Sequence, residues 1–270
     1  MSAPMVALLA RDGIRFLDSG PEGRAVPVLL LLHAFPMGAG MWEPQIAGFP
    51  GWRVIAPAYQ GFDGSAPAEA PSIDDYAAHA LRLLDLLEVP AAVLGGLSIG
   101  CHVALAALRQ APGRVAGLVL ADTRSPGDDD AAREGRRRMH ALVLEAGAHA
   151  VADQMIQRGL GPTTVASRPA VVARFRRLIE AQSPRAIGDA LGVLMTRPDA
   201  DDTLPTISVP TLFVVGEEDG LSPPDEMARM CALVPGATLA RLPGVGHFSN
   251  MEDPDAFNRA VSAFLSALPR

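Results

Sequence analysis

The chain has 270 residues, 49% of them hydrophobic and 20% charged, which is ordinary globular material long enough for one large core and an insertion. Its net charge of −7 argues against nucleic acid as a partner. No apolar run approaches the roughly 18 residues of a membrane span, so no membrane association is expected.

The first 13 residues carry a short apolar patch with no basic segment before it, which predicts a strand rather than an export leader. Residues 26–32 (VPVLLLL) form a continuous apolar run of strand length, and residues 53–57 (RVIAP) a second. Residues 74–88 place leucines at helical spacing with acids in the first turn, and Pro90 is expected to stop that helix. Val93 and Leu94 lead into GLSIG at residues 96–100, and residues 102–109 read as helix again. Residues 115–121 and 211–215 are buried-strand patterns. A helix follows near 224–233, a short strand at 238–242 and a last helix at 255–268. Buried strands alternating with helices predict an α/β fold, a mostly parallel central sheet flanked by helices. From about 124 to 203 the periodicity is helical, with amphipathic stretches at 139–156 and 170–182. The expected organisation is therefore a core of residues 1–123 and 204–270 and a helical cap of residues 124–203.

The G-x-S-x-G pattern of Gly96 to Gly100 stands between a strand and a helix. A sharp turn there strains the serine backbone and exposes the hydroxyl, and its glycine neighbours let strand and helix approach. Ser98 is thus read as a nucleophile rather than as a helix cap. A serine nucleophile needs a base, an orienting acid and oxyanion donors. Of six histidines, His247 alone lies in a loop after the last strand. His79 is mid-helix, His140 and His149 fall in the insertion, and His102, one turn past Ser98, is expected to pack or face solvent. The acid is sought after a strand between serine and histidine. Asp219 of GEEDG is chosen, with Asp122 as the alternative. The oxyanion donors would be the backbone N–H groups of Ile99 and of Phe35, in a loop that His33 is expected to tether. Cys101 and Cys231 are too few for a disulfide framework and lie in no metal-ligand spacing. With no lysine among the 23 basic residues, no Schiff base is available. No cofactor or metal is expected, and a reducing cytoplasm fits.

Five segments, at residues 31–42, 96–100, 117–125, 216–224 and 244–258, together resemble the α/β-hydrolase superfamily. Within it they resemble the branch of oxoadipate enol-lactonases and small carboxylesterases. The order Ser98, Asp219, His247 is the one this resemblance implies. Three places depart from the family. Ala34 stands where glycine is usual, Cys101 replaces a second glycine after the elbow, and Ala58 and Gln60 replace an Asp and an Arg. Ser98 argues against the dehalogenases and epoxide hydrolases, which use an aspartate nucleophile.

The leading expectation is a serine hydrolase cleaving small carboxylic esters through an acyl-enzyme. The alternatives are an enol-lactone hydrolase and a non-catalytic binding protein of the same fold. The partner would be a small-molecule ester or lactone, with self-association left open. Arg133, Arg136, Arg137 and Arg138, and then Arg174, Arg176 and Arg177, are expected to face water, with at most Arg133 or Arg137 turned inward. An aliphatic pocket of Met139, Leu142, Val143, Met155, Ile156, Leu191 and Leu194 would favour short neutral esters.

Overall fold

The computed structural model describes residues 7–20 and 26–268, so the first six residues of the expected opening strand lie outside it. Eight strands form one sheet: β1 (Leu9–Arg11), β2 (Ile14–Asp18), β3 (Val28–Leu32), β4 (Arg53–Pro57), β5 (Ala92–Leu97), β6 (Val115–Ala121), β7 (Thr211–Gly216) and β8 (Thr238–Leu242). Their order is β1-β2-β4-β3-β5-β6-β7-β8. β2 pairs antiparallel with β1 and β4, and every other pair is parallel. The β1–β2 hairpin was not expected. Its signal is Asp12-Gly13, a two-residue turn with both φ positive, which matches the right-handed twist of the strands it joins.

Eleven α-helices flank and cap the sheet among the described residues. Before β6 come α1 (Glu43–Ile46), α2 (Ile73–Leu86) and α3 (Ile99–Gln110). After β7 come α9 (Pro224–Leu233), α10 (Ser249–Glu252) and α11 (Pro254–Ala267). α2 packs on α3, and α3 lies on β3, β5 and β6. β3, β5 and β7 are buried at every residue, which is why they read as continuous apolar runs rather than alternating ones. α2 ends earlier than Pro90 requires. Glu88 turns to φ 55°, and Val89 N donates back to Leu84 O at 2.8 Å, closing the helix.

Between β6 and β7 the chain makes five helices: α4 (Asp130–Ala146), α5 (Ala148–Gly159), α6 (Pro162–Ser167), α7 (Pro169–Glu180) and α8 (Pro184–Thr196). The stretch read as one helix at 139–156 breaks at Gly147, which takes φ 77°. α8 lies beyond the two amphipathic stretches that the sequence marks, although Ser183 caps it and Pro184 opens it. Side chains bolt these helices to the sheet. Gln182 Nε2 donates to Asp63 Oδ1 at 2.7 Å, and Asp63 N donates to Gln182 Oε1 at 3.0 Å. Arg168 Nη1 reaches Gly244 O and Glu252 O, each at 3.1 Å. Among the described residues no helix is long and apolar enough to cross a membrane.

Among the tightest backbone approaches in the core is the one where β5 turns into α3. A Cβ on Gly100 would stand 2.2 Å from Leu32 O, and one on Gly96 2.3 Å from the Gly100 carbonyl carbon. Backbone cannot yield as a side-chain tip can. Gly100→Ala should therefore lower the unfolding free energy by about 3 kcal/mol, the upper end of overpacking costs. Urea denaturation checks this, and a loss below about 1 kcal/mol would mean that strand and helix are not held this close.

Candidate active site

Ser98 occupies the turn from β5 to α3 at φ 57°, ψ −116°, a sparsely populated backbone region. Its neighbours hold it there: Ser98 N donates to Ala121 O at 2.9 Å, and Thr123 Oγ1 donates to Ser98 O at 3.0 Å. Ser98 makes no capping bond to α3, so the cap reading of this serine fails. Cys101 is a packing residue. It is buried, with Sγ 3.1 Å from Gly96 O, and burial pushes its thiol pKa up, away from reactivity.

His247 follows β8 and is buried. Its Nδ1 lies 2.8 Å from Asp219 Oδ2, and the carboxylate makes that nitrogen the donor. Asp219 Oδ1 accepts from Leu221 N at 2.8 Å and Ser222 N at 2.9 Å, so a tight turn aims it. Two further carboxylates are buried behind the histidine. Asp122 accepts from Gly216 N at 2.9 Å and from both Ser249 N and Ser249 Oγ. It thus joins the strand end before Asp219 to the segment after His247 and makes no direct bond to the imidazole. Burial and the nearby Asp219 push the Asp122 carboxyl pKa up. Glu252 accepts from Gly246 N, Phe248 N and, across to the cap, Gly161 N, at 2.9 to 3.1 Å. The His247 backbone N–H donates to Gly159 O at 2.8 Å, so the histidine loop is pinned to the end of α5.

The loop after β3 is tethered as expected. His33 Nε2 accepts from Tyr59 N at 3.1 Å while Nδ1 lies 3.1 Å from Ala34 O. Burial lowers its pKa to about 4, which keeps the ring neutral and able to accept. No hydrogen bond among the described residues uses the N–H of Phe35 or of Ile99.

Phe35, Ser98, Ile99 and His247 line one cavity of about 290 Å³ beneath the cap, and Asp219 stands behind His247. No hydrogen bond joins Ser98 Oγ to His247 in this resting geometry. Such bonds commonly tighten only around substrate. Two expectations need correction, and a third is met in part. His102 packs, as one of its two readings has it, but in the cavity wall: it is buried, with Nε2 3.0 Å from Arg124 O and 3.1 Å from Arg197 Nη1. Of the supposed aliphatic pocket only Met139, Met155 and Leu194 reach the cavity, because Val143, Ile156 and Leu191 fill the cap's own interior. Arg133 and Arg137 pair with Asp130 and Glu134 on the outside of α4. Arg136 and Arg138 line the cavity together with Arg124, Arg158 and Arg197.

The strand order, the serine turn and the covering helices define a hydrolase of the α/β class. The chain belongs to the alpha/beta hydrolase fold family, whose match spans residues 27–254. It is similar to 3-oxoadipate enol-lactonase 2 of Acinetobacter baylyi, 27% identical over 96% of this chain and 95% of that protein. It is also similar to the malate-bound structure of a thermophilic esterase from Thermogutta terrifontis, 33% identical at TM-score 0.89, covering 97% of each chain. The enol-lactonase structure from Burkholderia xenovorans LB400 shares the fold at TM-score 0.87 and 23% identity, over 96% of this chain and 100% of that one.

Burial alone would lower the His247 pKa, but Asp219, with Asp122 and Glu252 behind it, outweighs burial and raises it above 6.5. Proton binding at His247 thus favours the folded state below that range, and the contribution fades as pH rises through the folded value. In NMR the His247 ring should titrate above pH 6.5. In Asp219→Asn, where burial has lost its main opponent, the midpoint should move down. An unmoved midpoint would show that Asp219 does not set this proton's affinity.

Proposed function

We propose that this hydrolase-family enzyme cleaves small carboxylic esters or lactones by acyl transfer, with Ser98, His247 and Asp219 acting as one unit. The observation that carries the reading is a serine in a strained strand-to-helix turn sharing a cavity with an Asp219-bonded histidine and two unpartnered backbone N–H groups. His247 Nε2 takes the Ser98 proton as Oγ attacks the carbonyl carbon. The oxyanion forms toward the N–H groups of Phe35 and Ile99, each such donor being worth about 3–4 kcal/mol of barrier. His247 then returns the proton to the leaving alkoxide, and water repeats the cycle to release the acid. Asp219 holds the imidazole in the tautomer that leaves Nε2 free and stabilises the imidazolium. A lactone follows the same steps, its leaving oxygen staying on the acyl chain. The enol-lactonase relative favours that variant.

Ser98→Ala and His247→Ala should each lower kcat by about 10³-fold or more, and the double variant should be little worse than either single. Asp219→Asn should cost about 10⁴-fold, as a wrong tautomer does, and Asp122→Asn much less. Steady-state kinetics on 4-nitrophenyl acetate check this, and a fluorophosphonate should label Ser98 alone. Activity that survives Ser98→Ala would sink the nucleophile. An unlabelled, inactive wild-type chain would favour the binding-protein reading.

A further inference from the structure

Five arginines and no acidic residue line the cavity, in a chain whose net charge is −7. The imbalance persists one layer back. Asp128 is buried, and its carboxylate is shared by Arg124 at 2.9 Å, Arg136 at 3.1 Å and Arg197 at 3.3 Å: one negative charge for three positive ones. Burial pushes the Asp128 carboxyl pKa up, yet the surrounding guanidinium groups, Arg136 foremost, outweigh it and hold the group ionised. Arg138 has only Glu134, at 3.5 Å and in solvent. Arg158 has no acidic partner among the described residues. Several arginines on the outer faces are better matched. Arg133, Arg174 and Arg176 each have an acid that no other arginine shares, and Arg137 shares Glu134 with Arg138. Around the cavity five arginines face only Asp128 and Glu134.

Arg197 is the most constrained of the five. Its side chain is 3% exposed, and Nη1 faces His102 Nε2 at 3.1 Å. Burial and the neighbouring arginines, Arg197 first among them, push the His102 pKa down to about 3, so His102 orients Arg197 without adding charge. Burial lowers the Arg197 pKa to about 10, which leaves it cationic at neutral pH. A cationic group held out of water with a third share of one carboxylate is costly unless an anion completes it. The cavity, about 290 Å³, lies at the small end of ligand pockets, which run from roughly 300 Å³. The arginines and Ser98 share this one small cavity.

We infer that Arg124, Arg136, Arg138, Arg158 and Arg197 form a subsite for a substrate carboxylate, so that the substrates are half-esters of short dicarboxylic acids. This rests on the acyl-transfer reading above and narrows its substrate class. Water cleaves the ester bond, the alkoxide leaves as the alcohol, and the product is the dicarboxylate, with no other reactant.

Two readouts separate the two readings. In kinetics at low salt, monoethyl glutarate should exceed its neutral counterpart ethyl pentanoate in kcat/KM by at least about tenfold. The advantage should shrink as ionic strength rises toward 1 M and the Debye length falls to about 3 Å. Arg158→Gln should reduce the ratio of the two kcat/KM values at least about tenfold, whereas Arg137→Gln, the same charge change facing away, should alter it less than about twofold. Calorimetry with glutarate on the Ser98→Ala protein needs no turnover. Binding should appear there and weaken about tenfold on adding Arg158→Gln. Equal rates on both esters without glutarate binding would overturn the subsite and leave the hydrolase reading standing. Glutarate binding without hydrolysis of either ester would keep the subsite and overturn the hydrolase reading. Inorganic phosphate binding as tightly as glutarate would overturn the assignment to a carboxylate.

Discussion

Ser98 sits at φ 57°, a conformation that costs of order 1–3 kcal/mol in isolation, so the surrounding chain must over-determine it. It does so through contacts that belong to the sheet itself. The Ser98 N–H extends the parallel pairing of β5 with β6 by one bond to Ala121 O. Gly100 packs on Leu32 O at a distance that admits no side chain. The same strain that bends the backbone lifts the hydroxyl away from the end of α3, which is why the serine cannot also cap that helix. It also leaves the N–H of Ile99, a residue of the cavity lining, without a hydrogen-bond partner among the described residues. The exposure of the proposed nucleophile and one proposed oxyanion donor are thus two results of a single backbone bend.

The histidine depends on longer connections. His247 lies on a loop held by three buried carboxyl groups with separate tasks. Asp219 bonds the ring. Asp122 fixes the end of β7 to Ser249. Glu252 grips the residues on either side of His247 and one residue of the cap. Gly246 sits so close to Gly161 that a Cβ would stand 2.4 Å from the Gly161 nitrogen. The cap is consequently part of what places the imidazole, and its helices also line the cavity.

The sequence made the sheet and the constellation legible because both are written in short local patterns. A buried parallel strand is a continuous apolar run, and the serine turn is five residues with glycines where backbone must meet backbone. Asp219 stands in a loop directly after a strand, and so does His247. What escaped was whatever depends on how the cap docks. Consecutive arginines on α4 must point in different directions, but their spacing does not say which direction is inward. The answer is set by Asp128, just ahead of the helix, and by Met139 and Val143 on its buried side. Arg124, Arg158 and Arg197 come from three other segments, and nothing local in them announces a shared cavity. The β1–β2 hairpin and α8 were a different kind of miss, since their Asp-Gly turn and Ser-Pro cap are local signals.

Carboxyl groups and arginines both surround the His247 region, and that arrangement suits the proposed chemistry. Asp219, Asp122 and Glu252 lie close to His247, and the cavity it lines has five arginines and no acid. In acyl transfer the reacting pair becomes an imidazolium and an oxyanion from two neutral groups. The imidazolium forms next to the carboxylates. The oxyanion forms on the cavity side, toward the N–H groups of Phe35 and Ile99 and within the field of the arginines. Both new charges are therefore favoured by groups already fixed in place, in a site where low dielectric makes such interactions several-fold stronger than in water. A neutral aliphatic cavity could hold an acyl chain equally well by burial, but it would support only one half of that charge separation.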